Sequence, residues 1–262
     1  MFASERQQQI INLLERENSA TVNSLSKKLF VSAATIRRDL AELAHAGLIS
    51  RSHGGAVLVE GGAAESPISI RELQQTKEKR TIAELVIPLI RPNSVLFMDS
   101  SSTVGMVVPL LSQLKGLTVI TNGLGNALLL SRRTDAKIYM PEGMVNPRST
   151  SVVGGGTLRF LARFQADLAL ISCSGLSLTE EVTDASPEQS DVKRMMLQNA
   201  RAGVLLCDAS KVGEVYMCRT CGFENLQTLV TDKAPDSAYL TRAQEAGCDV
   251  LYPKPSGGKN HL

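Results

Sequence analysis

Residues 32–40, SAATIRRDL, constrain the fold of this chain more than any other stretch. Ser32 is a helix N-cap type, Ala33 and Ala34 are small, and Arg37 and Arg38 follow directly. A DNA major groove admits one helix, and residues near that helix's N-terminus reach base edges. A capped, small and then basic first turn suits that entry. If Ile36 marks the buried direction, Leu40 and Leu43 return to it at i+4 and i+7. Ala34, Arg38, Ala41 and His45 then point outward, with Arg37 on the flank. Ala33 and Ala34 let the backbone approach a duplex, and Thr35 is placed for a phosphate or a base. Taken alone, the same pattern also describes an amphipathic helix with solvated arginines, so the flanking segments decide.

Upstream, Ser4 to Glu17 carries Ile10, Ile11, Leu13 and Leu14 at helical spacing. Residues 19–21 break that helix. Thr21 can cap a second one that runs to Leu29 and buries Val22, Leu25 and Leu29. Only Phe30 and Val31 separate it from Ser32, the tight joint of a helix-turn-helix. The third helix is expected to stop at Gly47. Residues 48–57, which include Arg51 and His53, read as a short hairpin, that is, a wing. Between residues 21 and 59 five basic residues (Lys27, Lys28, Arg37, Arg38, Arg51) face two acidic ones (Asp39, Glu42). That excess suits phosphate contacts from one face rather than indiscriminate binding.

Arg6, Ile10 and Leu14, then Ser32, Thr35, Ile36, Arg37, Arg38, Asp39 and Leu40, resemble the helix-turn-helix signature of DeoR-type bacterial transcription regulators. Residues 47–49 and 53–56 resemble the end of the same winged module. The resemblance implies binding to double-stranded operator DNA by Arg37, Arg38 and their neighbours. On residue type and placement the candidate contacts are Lys27, Ser32, Ala33, Ala34, Thr35, Arg37, Arg38, Arg51 and His53.

Apolar residues make up 43% of the 262, enough for a real core, and the net charge of +2 excludes a polycation. No apolar run reaches the ~20 residues of a membrane span, and the start MFASER is unlike a secretory signal. Five scattered cysteines point to a reducing compartment rather than a disulfide framework. Cys218 and Cys221 have the spacing that can open a zinc or redox site, but no second pair or nearby histidine completes it. They read as ordinary thiols in a loop before a strand, and neither metal nor cofactor is expected.

Residues 59–70 contain Gly61, Gly62 and Pro67 and are expected to link a DNA-binding domain at 1–58 to a larger domain at 71–262. Arg71 to Ile90 has the spacing of one long helix, shortened or kinked by Pro88. Short apolar runs at 95–98, 117–120, 137–140, 168–171, 204–207 and 228–230 then alternate with helical stretches at 103–114, 125–131, 157–164, 191–200 and 237–246. That alternation predicts an α/β domain on a mostly parallel sheet covered on both faces. Such sheets bind ligands beyond the carboxyl ends of their strands.

Polar and small residues collect at those ends. Asp99, Ser100, Ser101, Ser102 and Thr103 follow the first strand, and Thr121 and Asn122 end the second. Gly143, Gly175, Asp208 and Lys211 follow later strands, and Lys193 lies in the helix before the run at 204–207. Hydroxyls and backbone N–H groups at a helix start can cradle a phosphate that lysines neutralise, and Asp99 can accept from a sugar hydroxyl. Ordinary strand-to-helix turns with Ser and Asp caps explain the same residues, and both readings stand at this level.

Asp99 to Thr103, Thr121 to Gly123, Val192 to Met196 and Asp208 to Lys211 resemble the effector domain of the same DeoR family, whose fold is similar to that of sugar-phosphate isomerases. The resemblance implies a sensor for a phosphorylated sugar or related metabolite, seated on Ser100–Thr103. It further implies a repressor in the bacterial cytoplasm, and because winged helix-turn-helix modules usually read paired half-sites, a dimer or tetramer is expected. Two positions depart from the family pattern: Glu142 precedes Gly143 where two glycines are common, and Gln189 stands where a glutamate usually precedes the lysine. The rival class is an isomerase carrying a DNA-binding domain. It needs a positioned general base; Cys173 stands where related isomerases carry an acidic segment, while Glu180, Glu181 and Asp184 lie nearby in sequence as candidate bases. No catalytic residue is assigned.

Overall fold

The computed structural model describes residues 3–45, 49–52, 54–58 and 67–254. Gly47, His53 and most of the expected linker lie outside the described residues, as does the side chain of His45. The chain divides into two compact units, Met1–Gln74 and Gln75–Leu262.

In the first unit α1 (Ala3–Glu17), α2 (Val22–Leu29) and α3 (Ala33–His45) surround a core that includes Ile10, Ile11, Leu14, Leu25, Ile36 and Leu40. Thr21 caps α2 by accepting from the Ser24 N–H at 3.1 Å, and Ser32 caps α3 by accepting from Thr35 N–H at 3.1 Å. Residues 19–21, expected only as a break, form β1 (Ser19–Thr21). It pairs antiparallel with β3 (Gly55–Leu58), which pairs in turn with β2 (Ile49–Ser52). The wing is therefore anchored by a third strand that a three-residue segment did not announce. The long helix expected over 71–90 is two helices. α4 (Ile68–Leu73) adds Ile70 and Leu73 to the first unit's core. α5 (Thr76–Val86) starts the second unit after Gln75, whose left-handed φ of 49° breaks the helix. Pro88 then turns its end into a 3-10 segment.

One buried pair joins the first and third helices of this unit. Arg6 on α1 donates to both oxygens of Asp39 on α3, at 2.5 and 2.9 Å, with Asp39 only 1% exposed. The pair fixes α3 from behind while Arg37 and Arg38 stay exposed on its other side.

The second unit is built on a seven-stranded sheet in which every pairing is parallel. Its strands are β4 (Val95–Met98), β5 (Thr118–Thr121), β6 (Lys137–Tyr139), β9 (Ala166–Ser172), β12 (Ala200–Leu206), β14 (Thr228–Val230) and β15 (Asp249–Leu251). The spatial order is β15-β14-β12-β9-β4-β5-β6. Between β6 and β9 lies a hairpin of β7 (Met144–Asn146) and β8 (Ser151–Val153). Between β9 and β14, β10 (Gly175–Ser177), β11 (Glu181–Asp184) and β13 (Cys218–Cys221) form a small antiparallel sheet. These five short strands, and β15, were not legible as separate apolar runs. Cys218 and Cys221 thus sit on a strand and not in a loop before one.

Alternation along the central strands sends side chains to two faces. Leu96, Met98, Val204 and Leu206 join a core with Ile82, Ala83 and Val86 of α5 and with Leu130 of α7 (Leu124–Arg133). Short α6 (Ser102–Gly105) and a 3-10 segment at Val108–Gln113 replace the single helix expected at 103–114, where Pro109 removes a donor. On the other face Phe97 and Ala169 pack against Leu161 of α8 (Gly155–Leu161) and Val192 and Met196 of α9 (Pro187–Gln198). Leu205 and Leu229 pack there with Tyr239 and Ala243 of α10 (Ser237–Glu245). No helix among the described residues is long and apolar enough to cross a membrane.

Removing one partner of a buried ion pair leaves a desolvated charge and costs about 3–5 kcal/mol. Asp39→Ala is therefore expected to lower the stability of the first unit by that order in urea denaturation. Arg6→Met combined with Asp39→Leu is expected to recover most of the loss, because neither charge then remains buried.

Candidate functional site

On α3, Ser32, Ala34, Arg37, Arg38 and Ala41 are exposed, Ala33 and Thr35 are half-buried, and Ile36, Leu40 and Leu43 are buried. The helical period predicts that division, except that Arg37, expected on the flank, is exposed along with Arg38. The hydroxyls of Ser32 and Thr35 lie 2.9 Å apart at the helix start. Lys27 is exposed on α2, and Lys28 is tied to Glu17. Arg51 is exposed on β2 of the wing. His53 lies outside the described residues.

In the second unit the sheet order reverses between β4 and β9, so the crevice at their carboxyl ends is the switch point of the sheet. Asp99 sits there, fully buried, with one oxygen accepting from the Ser101 N–H at 2.8 Å and the other from the Ser172 N–H at 2.9 Å. Both oxygens bind backbone, so Asp99 frames the site, and its expected role as an acceptor for a sugar hydroxyl is not what its geometry favours. Ser101 caps α6 through the Val104 N–H, and Ser102 accepts from the ammonium of Lys79 at 3.0 Å.

Three lysines reach this end of the sheet. Lys193 on α9 donates to Asp184 at 2.6 Å and lies 3.8 Å from Asp99. Lys211 donates to the Ser172 hydroxyl at 2.9 Å and stands 3.6 Å from Asp208. Lys79 on α5 is 3% exposed. It was not singled out in the sequence, although the signal is there. It shares the buried stripe of α5 with Ile82, Ala83 and Val86, and a lysine in phase with a core stripe needs a polar destination. Asp184, which accepts from Lys193, and Thr220, whose hydroxyl donates to Asp184, stand on the small antiparallel sheet, and no local pattern assigns either to this cluster.

Gln189 ties two loops together. Its amide donates to Ser149 at 2.9 Å and Ser151 at 2.5 Å, and accepts from the Ser100 hydroxyl at 3.3 Å. A glutamate there would donate nothing and would set a negative charge beside Ser100. Thr121 accepts from the Gly123 N–H and closes a turn. Gly143 and Gly175 carry steric roles: a Cβ on Gly143 would meet the Thr157 hydroxyl at 2.6 Å, and one on Gly175 would collide with the Glu214 carbonyl.

The buried polar side-chain atoms without a hydrogen-bond partner among the described residues are Thr103 Oγ1, Asn122 Oδ1, Asp208 Oδ2 and Thr231 Oγ1. All four follow the carboxyl ends of parallel strands: β4, β5, β12 and β14. A buried polar atom without a partner is costly, and all four lie at the same end of the one sheet. A surface cavity of about 440 Å³, lined by Arg194, Gln198 and Thr220 among others, lies on the α9 and β13 side instead. It gathers none of these groups.

Cys173 and Cys207 face each other at 3.7 Å at the ends of β9 and β12. The contact with Cys173 and then burial push the Cys207 thiol well up. Burial pushes the Cys221 thiol up as well. Among the described residues no group of three or more His, Cys, Asp or Glu is arranged to hold a metal.

An arginine-bearing helix-turn-helix followed by a parallel sheet with a polar switch point defines a two-domain transcription regulator. Residues 6–61 match the DeoR-like helix-turn-helix domain, and residues 74–233 match the DeoR C terminal sensor domain. The chain belongs to the DeoR family. It is 32% identical over 250 residues to the HTH-type transcriptional regulator GolR of Listeria innocua, covering 95% of this chain and 98% of that one. It is 31% identical over 240 residues to the glycerol-3-phosphate regulon repressor of Escherichia coli, covering 92% and 95%. It is 30% identical over 260 residues to the repressor GlcR of Bacillus subtilis, covering 99% and 100%. Among solved structures, ribose 5-phosphate isomerase A of Methanocaldococcus jannaschii overlays 53% of this chain and 55% of its own at a TM-score of 0.40 and 14% identity.

Burial opposes charge on both Asp208 and Lys211, but each outweighs it for the other. Asp208 is held below its ordinary 3.8 by Lys211 and the Ser210 hydroxyl, and Lys211 is raised above its ordinary 10.5, chiefly by Asp208. A lowered carboxylate stabilises above its unfolded pKa and loses that contribution as pH falls through the folded value. A raised lysine stabilises below its unfolded pKa and loses it as pH rises through the folded value. Asp208→Asn is therefore expected to lower the melting midpoint throughout the neutral range. The gap to wild type is expected to close as pH drops below 3.8. Melting curves across pH check both parts.

Proposed function

We propose that this chain is an operator-binding repressor of a carbohydrate-utilisation operon, controlled by a phosphorylated sugar or related metabolite bound at the carboxyl end of the seven-stranded sheet. The observation that supports the ligand site is the set of buried atoms without a hydrogen-bond partner after four strand ends, at the end of the sheet that Lys79, Lys193 and Lys211 reach. Lysine ammoniums and serine hydroxyls suit a phosphate, and Asn122, Asp208, Thr103 and Thr231 suit the hydroxyls of a polyol. The name of the Escherichia coli relative, a glycerol-3-phosphate regulon repressor, supports the same ligand class and the repressor sign.

For DNA the proposed contacts are Ser32, Ala33, Ala34, Thr35, Arg37 and Arg38 on α3, with Lys27, Arg51 and His53 on the phosphates. For the effector they are Ser100 to Thr103, Asn122, Lys193, Asp208 and Lys211, joined by Lys79. The protein acts in the cytoplasm as a dimer or tetramer, because winged modules of this kind read paired half-sites. The ligand switches DNA affinity only through a different affinity for the DNA-competent and DNA-incompetent states.

The isomerase reading finds little support in the side chains. Glu181 is held by Arg219 and Arg242, Asp184 is held by Lys193, and Cys173 is spent on Cys207. None is a free base at the switch point.

A melting screen against phosphorylated sugars and polyols is expected to show stabilisation by a phosphorylated compound and none by its dephosphorylated form. Lys79→Met is expected to remove that shift while DNA binding persists, and a full shift in Lys79→Met would take Lys79 out of the site. Arg38→Ala is expected to cost about 1–3 kcal/mol of operator affinity and to relax one base-pair position. Gel shifts over a set of point-mutated operator duplexes measure both.

A further inference from the structure

Phe30 is the most exposed large apolar side chain among the described residues, at 93%. It stands in the turn between α2 and α3 with left-handed backbone angles, φ 54° and ψ 41°. An L side chain other than Asn or Asp is strained there, and glycine is not. The turn holds this shape firmly. The N–H groups of Phe30 and Val31 both reach the Ser26 carbonyl, and the Ser26 hydroxyl donates to the Val31 carbonyl at 2.5 Å. Phe30 therefore combines a strained backbone with a ring left in water, and it takes no part in the unit's core. Strain of this kind is kept where it serves a function.

Its position indicates which function. Phe30 precedes Ser32, the cap of α3, by two residues, and follows the end of α2, whose exposed face carries Lys27. When the first turn of a helix enters a groove, the turn before it meets the groove wall, which is deoxyribose and phosphate. We propose that Phe30 belongs to the DNA-binding surface, its ring packed on the sugar carbons of the groove wall beside the phosphate met by the α3 N-terminus. This rests on the operator-binding reading above. The contact is apolar and reads no base, so it adds affinity for any duplex without changing counterion release.

The test uses the full chain and a fluorescein-labelled duplex of mixed sequence, titrated at several salt concentrations. Phe30→Gly is expected to raise the melting midpoint, since the strain is relieved. It is also expected to weaken duplex binding about three- to tenfold at every salt, the scale of one aromatic contact, with an unchanged slope of log K against log salt. Phe30→Asn, which also tolerates the left-handed region, is expected to behave alike, and Phe30→Tyr to keep wild-type affinity. Equal affinity of wild type and Phe30→Gly overturns the proposal. So does weaker binding accompanied by a lower melting midpoint, which would make the ring a packing residue. A wild-type chain that does not bind the duplex even at low salt removes the operator-binding reading and this inference together. A wild type that binds as Phe30→Gly does removes only the inference.

Discussion

The sensor unit is organised around the buried carboxylate of Asp99. It stands where the sheet order reverses, and its two oxygens bind the backbone of the loop after β4 and of the end of β9. Without that bridge the two central strands would end in diverging loops with unpaired N–H groups, which is costly inside a protein. With it, Ser101 and Ser172 are fixed, and through them the hydroxyls that meet Lys79 and Lys211. The negative charge of Asp99 also gives the ammonium of Lys193 a reason to stay in a dry crevice.

Charge balance follows from the same constraint. Buried lysines survive only with nearby anions or strong acceptors. Here Asp99, Asp184 and Asp208 supply them from three different segments of the fold. Compensation is uneven, because hydrogen-bonding capacity remains on Asp208, Asn122, Thr103 and Thr231. A site that is electrically balanced yet short of hydrogen-bond partners can take in a polar ligand without first losing a well-made contact.

In the DNA-binding unit the adjacent residues Arg37, Arg38 and Asp39 divide by helical phase. The arginines face solvent, while Asp39 turns inward to a guanidinium from the first helix. That pairing gives Arg6 and Asp39 a reason to appear together in a helix-turn-helix signature: one holds the other, and both hold the orientation of α3. The turn before α3 is equally firm, although it closes around a phenylalanine in a conformation that glycine would adopt more easily.

Much of this was legible locally. The period of Ile36, Leu40 and Leu43 determined the buried side of α3, and Thr21 and Ser32 marked the helix starts, because caps and helical faces depend on neighbours within a few residues. The six short, continuous apolar runs pointed to the parallel sheet for a similar reason: a strand covered on both faces must be continuously apolar. The break at Gln75, the short strands of the hairpin and of the small sheet, and the partners of Asp99, Gln189, Lys79 and Lys193 were decided only by tertiary structure. Apart from Ser101, two residues from Asp99, those partners lie between 9 and 94 residues apart, and the short strands have only three or four residues, so neither leaves a periodic trace in the chain. The sequence by itself determined which residues are polar at the strand ends, and the packing of the sheet decided which of them meet.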